Sequence, residues 1–321
     1  MTVRVGHIEF LNCFPLYYGF EHTGLLAADR HLDLPDRPGV ELLPGVPTDL
    51  NRMLAAGEID LGPVSSIAYA RNHEKLLLSR RLSISSAGAV DSIQLVSRVP
   101  MEQIRTVALT TQSATSVALL KTLLKLRYKQ DVTYTELTGP VPEALEQNDA
   151  VLLIGDQGLE ALYFPIPGTT CSDLGTLWQE WTGLPMVYAV WAAREDFGRS
   201  NGPELLAVEE ELVRSLDYAR SHRPEVVESA LGRYRFDRAG LTRYFVRLRY
   251  DFTEEYQEGL TLFYQLAHEA GELDVVPRLR FIDEVAGGAE GPAAGAGGGA
   301  APAPPGAEGA GSPAGLPGGV S

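Results

Sequence analysis

The sequence predicts an α/β protein built as two lobes that are joined by a hinge. Strand-like and helix-like segments alternate along residues 3–96, and a second alternation of the same kind occupies residues 100–185. Extended segments near residues 93–98 and 187–193 connect the two units, so the chain leaves the first lobe and later returns to it. Alternating strands and helices are typical of largely parallel sheets covered by helices, and we expect such a sheet in each lobe.

These connections predict a discontinuous first domain. Lobe 1 is expected to comprise residues 1–95 and 191–283, and lobe 2 residues 96–190. Residues 284–321 follow as a tail that is composed mainly of Gly, Ala and Pro. A segment of this composition buries too little apolar surface to offset the entropy of ordering it, so we expect the tail to be disordered.

The first strand and the turn that leaves it carry the first candidate site residue. Residues 3–10 include β-branched and aromatic side chains in a run of strand length, and Pro15 suits the first turn of a helix. Asn12 lies between the two. Unpaired backbone N–H groups at a helix N-terminus bind anions, so we expect a ligand near Asn12.

The next unit predicts a helix between strands. Thr48 can cap this helix and Gly57 can end it, after which residues 59–64 form a strand. Ser65 and Ser66 then cap a second helix directly after that strand. Ser65 is therefore a second polar residue at the end of a strand.

Residues 76–96 are mostly extended around the small-residue segment SSAGAVDS. Gly88 permits a close approach of the backbone, and Ser92 offers a hydroxyl group without bulk. A simple loop is the competing interpretation.

Lobe 2 begins with a strand at residues 105–110 and a helix whose first turn contains Ser113, Thr115 and Ser116. One of these residues suffices as a helix cap, so the surplus indicates a ligand at this N-terminus. Capping together with local hydrogen bonding explains the same residues equally well.

The run at residues 150–155 is apolar throughout, as in a strand buried on both faces of a sheet. Asp156 follows it and either caps the next helix or belongs to the site. Residues 186–192 predict the strand that returns to lobe 1. Helical periodicity without intervening strands then marks residues 203–222, 224–232, 238–249 and 253–270.

Composition excludes several classes of function. The formal net charge of −15 and the lack of a basic stripe argue against nucleic acid or an anionic membrane as partner. No apolar run is long enough to span a bilayer, and the first residues do not resemble a signal peptide, so a cytoplasmic location is expected. The oligomeric state stays open.

The reactive residues and the lack of common catalytic motifs also restrict the function. Cys13 and Cys171 have no metal-ligand spacing, and Cys13 is either a reactive thiol near a helix N-terminus or a small buried hydrophobe, which we favour. The sequence contains no Ser-His-Asp order, HExxH, phosphate loop or dinucleotide fingerprint. His7 lies within a strand, which favours a hydrogen-bonded core role over catalysis. Hydroxyls, amides and helix N-termini after several strands instead suit a small carboxylate ligand in one cleft.

Six ordered segments resemble the chorismate dehydratase family over residues 3–283: VGHIEFLNCFPLYYG, GEIDLGPVSS, GAVDSIQLVS, TTQSATSVALL, AVLLIGDQGL and LWQEWTGLPMVYAVWAAR. The resemblance implies the type II periplasmic-binding-protein fold. It implies an enzyme that removes water from chorismate to give 3-[(1-carboxyvinyl)oxy]benzoate in the futalosine route to menaquinone, without a metal or an organic cofactor.

The resemblance also assigns site residues. It implies catalytic roles for Asn12, in the FLN motif, for Ser92, in the GxVxS segment, and for Asp156, in the IGD motif. Substrate-binding residues are expected at Ser65, Gly88, Ser113, Thr115 and Ser116. Ala89 and Asp91 depart from the pattern and place the shape of their loop in doubt.

The chemistry fits these residues except for the general base. Asparagine and serine are weak bases, and Asp156 and His7 are candidates by position alone. Our hypothesis is that the enolpyruvyl carboxylate of the substrate takes the proton. The alternatives are the 1,4-dihydroxy-6-naphthoate synthase of the same pathway, whose first strand typically runs into a Cys-Pro-Asn-Asp type of turn, and a non-catalytic cytoplasmic protein that binds a small anion.

Overall fold

The computed structural model describes residues 2–22, 31–32 and 39–286, and it contains two β-sheets with helices packed against them. The strands are β1 (Thr2–His7), β2 (His31–Leu32), β3 (Gly39–Pro44), β4 (Leu61–Ser65), β5 (Leu76–Ser86), β6 (Ile93–Ser97), β7 (Thr106–Leu109), β8 (Thr133–Glu136), β9 (Ala150–Ile154), β10 (Thr170–Asp173), β11 (Met186–Arg194) and β12 (Leu248–Asp251). Both sheets lie within one compact unit of the chain.

The helices pack against the two sheets. They are α1 (Phe14–His22), α2 (Pro47–Ala56), α3 (Ser66–Arg71), α4 (Ala114–Thr122), α5 (Val141–Gln147), α6 (Gly155–Tyr163), α7 (Leu174–Thr182), α8 (Glu195–Ser221), α9 (Arg223–Leu231), α10 (Arg238–Arg247), α11 (Glu254–Ala270) and α12 (Ile282–Ala286). Helix α8 bends at Asn201, two residues before Pro203. None of the described helices combines the length and apolar character that crossing a bilayer requires.

The larger sheet, which we call the large sheet, has the order β12-β5-β11-β4-β1-β3-β2. Strand β1 pairs in parallel with β3 and β4, as the alternation of strands and helices predicts. Strand β11 is antiparallel to both β4 and β5, so the expectation of a largely parallel sheet is wrong here. The reason is that the strand before β11 in the chain, β10, belongs to the other sheet, so no crossover helix within the large sheet connects β11 in parallel to β4 or β5.

The second sheet, which we call the small sheet, has the order β10-β6-β9-β7-β8. It is also mixed, because β7 pairs in parallel with β8 and β9 whereas β6 is antiparallel to β9. The chain crosses between the sheets at residues 87–92 and 183–185. Both crossings lie just before the segments that the sequence predicted, residues 93–98 and 187–193. Those two segments form strands β6 and β11.

Three local predictions are corrected by the structure, and a fourth is confirmed. Strand β12 was hidden in the predicted helix 238–249, because pairing with β5 ends α10 after Arg247. Helix α2 begins at Pro47, with no side-chain bond from Thr48 as the cap, since proline already has the φ of a first helical turn. Gly57 ends α2 at φ 74°, as predicted. Ser65 occupies the cap position of α3 without capping it.

The last described helix lies beside the large sheet. Helix α12 packs against α8, and Arg80 Nε donates to Asp283 Oδ2 at 2.9 Å. The predicted tail boundary at residue 284 is therefore early, because residues 284–286 belong to this helix. The remainder of the predicted tail lies outside the described residues.

Candidate functional site

A small cavity lies between the two sheets, and we call it the central cavity. Its polar lining residues lie at or after the ends of four strands, or within β11, and they are Asn12, Ser65, Ser92, Ser113, Ser116 and Tyr188. The apolar lining includes Ile8, Phe10, Ile84, Val90, Ile93, Ile154 and Leu248. Because parallel strands present their ends at one edge of a sheet, separate stretches of sequence meet here. The cavity holds about 60 Å³.

Asn12 is presented by a single helical turn, Leu11–Cys13, between β1 and α1. The Tyr250 hydroxyl donates to the Asn12 backbone oxygen at 2.8 Å and fixes this turn. The side-chain Oδ1 atom is buried, and none of the described residues donates a hydrogen bond to it. A buried polar atom without a partner costs free energy, so Asn12 is suited to a ligand that supplies the missing bond.

The N-terminus of α4 forms the opposite wall. Ser113 caps the helix, and its Oγ accepts from the Ser116 backbone N–H at 3.3 Å. The hydroxyl groups of these two serines lie 2.8 Å apart. Both side chains line the cavity next to the positive end of the helix dipole. This wall therefore offers hydroxyl groups and a favourable field to an anion.

Ser92 lies at the end of the crossing segment 87–92, and its backbone N–H donates to the Val90 oxygen at 2.8 Å. Helix α6 approaches this segment so closely that a Cβ atom on Gly158 would overlap the Ser92 carbonyl oxygen. The buried Tyr244 hydroxyl lies nearby; burial raises its pKa above its ordinary value, and Ser92 acts in the opposite direction. Ser92 is thus held by close backbone packing against α6.

The loop before Ser92 takes its shape from Asp91 and Asp173. Asp91 has a φ of 63°, and its backbone N–H donates to Asp173 Oδ2 at 2.7 Å. The Val90 N–H donates to the same carboxylate at 3.1 Å, while Arg247 on α10 donates to Asp91 Oδ1. Burial raises the pKa of Asp173, and the backbone donors lower it. The unusual Asp91 therefore anchors the loop to α10.

Two predicted binding residues do not line the central cavity. Gly88 is buried in the crossing segment with a φ of 86°, where its backbone oxygen accepts from Ser86 Oγ at 2.7 Å. Thr115 is fully buried and faces α3, since its Oγ1 accepts from the Ile67 backbone N–H at 3.2 Å. Both residues shape the region around the cavity, and their contact with a ligand stays a prediction.

The Thr115 contact leads to a stability prediction. Thr115→Val should lower the free energy of unfolding by about 1–3 kcal/mol, because the buried Ile67 N–H loses its acceptor. Chemical denaturation followed by circular dichroism measures this change.

Thr122→Val on the same helix is the matched control. Thr122 is also fully buried, but its hydroxyl has no hydrogen-bond partner among the described residues. This variant should be neutral or stabilising. Equal losses in the two variants would contradict the assigned role of Thr115.

Asp156 follows Gly155 in the first turn of α6, and it is not one of the lining residues of the central cavity. Burial raises the pKa of its carboxyl group, and the facing Leu11 backbone N–H lowers it. Its Oδ1 atom is buried without a partner in the described chain. Leu11 lies in the turn after β1, so Asp156 faces the segment that also carries Asn12.

The other reactive candidates lie away from the cavity. The His7 ring packs edge-on against Tyr17, with the ring centroids 4.1 Å apart, which supports a core role. Cys13 is fully buried, and burial raises the pKa of its thiol well above the ordinary value, so a thiolate nucleophile is disfavoured. Within residues 2–22, 31–32 and 39–286, no three His, Cys, Asp or Glu side chains converge as metal ligands.

Tyr188 and Asn51 were not predicted from the sequence. Tyr188 lines the cavity, and its hydroxyl lies 2.9 Å from Ser86 Oγ. Asn51 contacts the cavity residue Ser65 through both atoms of its amide. Both depend on pairing between distant strands and helices. The sequence around Tyr188 indicates only a strand, and the sequence around Asn51 indicates only the polar face of a helix. Neither residue therefore carried a separate signal for a functional site.

A larger groove of about 600 Å³ lies elsewhere on the protein, and we call it the outer groove. Its lining includes Asn51, Lys75, Arg194, Glu195 and Arg199. Arg199 pairs with Glu195 at 2.5 Å, so part of its charge is neutralised internally. The smaller central cavity is the stronger candidate for a site, because hydroxyl groups, a helix N-terminus and an unpartnered amide oxygen converge there.

Comparison with known proteins agrees with this architecture. A family model described as menaquinone biosynthesis matches residues 3–269. The chorismate dehydratase of Thermus thermophilus is 36% identical to this chain over 243 residues, which cover 70% of this chain and 86% of that protein.

Solved structures show the same fold at low sequence identity. A protein of Archaeoglobus fulgidus has a TM-score of 0.64 and 22% identity, with 85% of this chain and 98% of that chain covered. The alkanesulfonate-binding protein SsuA of Xanthomonas axonopodis pv. citri, bound to MOPS, has a TM-score of 0.60 and 15% identity, with coverage of 88% and 97%. These similarities confirm the predicted periplasmic-binding-protein fold.

Proposed function

Because the chain belongs to the menaquinone biosynthesis family, we propose that it is a chorismate dehydratase with its active site in the central cavity. The similarity to the Thermus thermophilus enzyme carries this proposal. The reaction eliminates water from chorismate and gives 3-[(1-carboxyvinyl)oxy]benzoate. The cavity supports it through hydroxyl and amide groups from several segments that surround a small space.

Charge stabilisation is the main contribution that we assign to the protein. Chorismate loses the proton at C3 and the hydroxyl group at C4, and the ring becomes aromatic. Negative charge that develops at C3 is delocalised into the ring carboxylate. The N-terminus of α4, with Ser113 and Ser116, is positioned to stabilise that carboxylate. The unpartnered Asn12 oxygen suits the C4 hydroxyl group as an acceptor.

For the general base we propose the enolpyruvyl carboxylate of the substrate. The described residues that line the cavity include no Asp, Glu, His, Lys or Arg, and the serines and Asn12 are weak bases. The enolpyruvyl group is attached to C3 through oxygen, so its carboxylate can reach the C3 proton within the same molecule. The protein then acts by orienting the substrate.

Asp156→Asn tests this assignment of the base. The asparagine keeps an acceptor for the Leu11 N–H, so turnover of chorismate should stay within about tenfold of the wild type, whereas loss of a true base costs about 100-fold or more. Steady-state kinetics on purified protein measures the effect. His7→Gln is the companion variant, and a loss of several orders of magnitude in either would rule out the substrate as the base.

Substrate entry requires a wider cavity than the one described. Pockets for small molecules are usually about 300–1,000 Å³, whereas the central cavity holds about 60 Å³. The lining residues come from both sheets, and the chain crosses between the sheets twice. We therefore propose that the lobes separate about the crossing segments to admit chorismate and that the described conformation is closed.

Substrate tests separate this function from its alternatives. Chorismate dehydratase converts chorismate, whereas the naphthoate synthase acts on a cyclic futalosine derivative and a binding protein retains its ligand unchanged. Purified protein is incubated with each compound, and the products are separated by chromatography. We expect turnover of chorismate alone. Turnover of the futalosine derivative would replace the proposal by the naphthoate synthase. Tight binding without turnover would replace it by the binding protein.

A further inference from the structure

Asn51 on α2 directs its whole amide group at one residue of the central cavity. Its Oδ1 accepts from the Ser65 backbone N–H at 3.0 Å, and its Nδ2 donates to Ser65 Oγ at 3.2 Å. Ser65 is 4% exposed and lines the cavity, whereas Asn51 lines the outer groove and is not among the residues that line the cavity. Asn51 therefore touches the cavity only through Ser65.

Ser65 is released from the capping role that its position predicts. It precedes α3 with φ −61° and ψ 139°, but its side chain accepts no hydrogen bond from that helix. The Ile67 N–H, which a capping serine would satisfy, donates to Thr115 Oγ1 from lobe 2 instead. The Ser65 hydroxyl group is consequently not used by its own helix.

The bond from Asn51 decides what the Ser65 hydroxyl can do. Nδ2 is a donor, so Ser65 Oγ must be the acceptor in that contact. The hydroxyl proton then points elsewhere, and no acceptor for it exists among the residues that the structure describes. Since Ser65 lines the cavity, the side that remains for this proton is the cavity interior.

We propose that Asn51 is a positioning residue, which orients the Ser65 hydroxyl group as a donor to a carboxylate oxygen of the substrate. The inference rests on the proposed function, because chorismate supplies the carboxylate. A hydrogen bond to a charged acceptor is stronger than one between neutral groups, so correct orientation of a single hydroxyl has a measurable effect.

Asn51→Asp is the most selective test, because it replaces only the Nδ2 donor. The aspartate still accepts from the Ser65 N–H, but its second oxygen captures the Ser65 proton and withdraws it from the cavity. We expect kcat/KM for chorismate to fall about tenfold or more, mainly through KM. Asn72→Asp is the matched control, since Asn72 also borders the outer groove and donates to the Ala68 oxygen. It should keep wild-type kinetics.

A double-mutant cycle separates positioning from a general structural effect. Ser65→Ala should reduce kcat/KM to a similar extent, and adding Asn51→Asp to Ser65→Ala should cause no further loss. Wild-type kinetics in Asn51→Asp, or a full additional loss in the double variant, would overturn the proposal.

Chorismate binding, measured by calorimetry on the same proteins, provides a readout that does not depend on turnover. Asn51→Asp should weaken binding whereas Asn72→Asp should not. A wild-type protein that binds chorismate without converting it would contradict the proposed function, while the comparison of variants would still decide the role of Asn51. A wild-type protein that does not bind chorismate would contradict both.

Discussion

Asn12→Ala should reduce kcat/KM for chorismate by about 100-fold or more, the usual loss when a group that contacts the reacting atoms is removed. The Asn12 oxygen is buried in the turn after β1 and has no partner in the described chain. Truncation removes the one side-chain amide that lines the central cavity among the described residues. Initial rates at several chorismate concentrations measure the loss.

The fold should tolerate this change. The Tyr250 hydroxyl donates to the Asn12 backbone oxygen, which alanine retains, so thermal unfolding should be close to that of the wild type. Asn72→Ala serves as a control, since it removes an exposed amide that donates to the Ala68 oxygen. Near-normal activity of Asn12→Ala would contradict the placement of the active site at the end of β1.

Gly158→Ala should destabilise the protein by about 1–3 kcal/mol and also reduce turnover. The added Cβ would overlap the Ser92 carbonyl oxygen, which is backbone and cannot rotate away. Helix α6 or the crossing segment must therefore shift, and Ser92 moves with it. Denaturant unfolding and steady-state kinetics measure the two effects.

Gly232→Ala is the matched control for the same substitution. Gly232 ends α9 at φ −79°, and a Cβ there would meet no other atom within 4 Å. Its stability should change by less than about 0.5 kcal/mol, with unchanged kinetics. If Gly158→Ala behaved in the same way, the close contact between α6 and Ser92 would not hold the site.

Local signals predict the parts of the site that a single strand and turn determine. Asn12 follows from a β-branched run that ends before Pro15, and Ser113 follows from a cap between a strand and a helix. Helical geometry also explains why the residues of this turn point in different directions. Residues three apart share a helix face, so Ser116 points with Ser113 into the cavity, whereas Thr115 points towards α3.

Non-local contacts explain what the sequence did not predict. Strand β12 forms because its residues pair with β5. These residues follow α10 directly, and no residue between them marks the end of the helix. Asn51 reaches Ser65 only after α2 packs beside β4, and the crossings lie several residues before the predicted ones. Pairing between distant segments decides each of these features, and no local pattern encodes it.

Incubation of the purified protein with chorismate tests the central claim most directly. Ultraviolet absorbance and chromatography follow the loss of chorismate and the formation of an enolpyruvyl-oxybenzoate, with Asn12→Ala measured in parallel. We predict that the wild type converts chorismate to this product in equal amount and that the variant is strongly impaired. Chorismate recovered intact from the wild-type reaction would contradict the assignment of this cavity as a dehydratase active site.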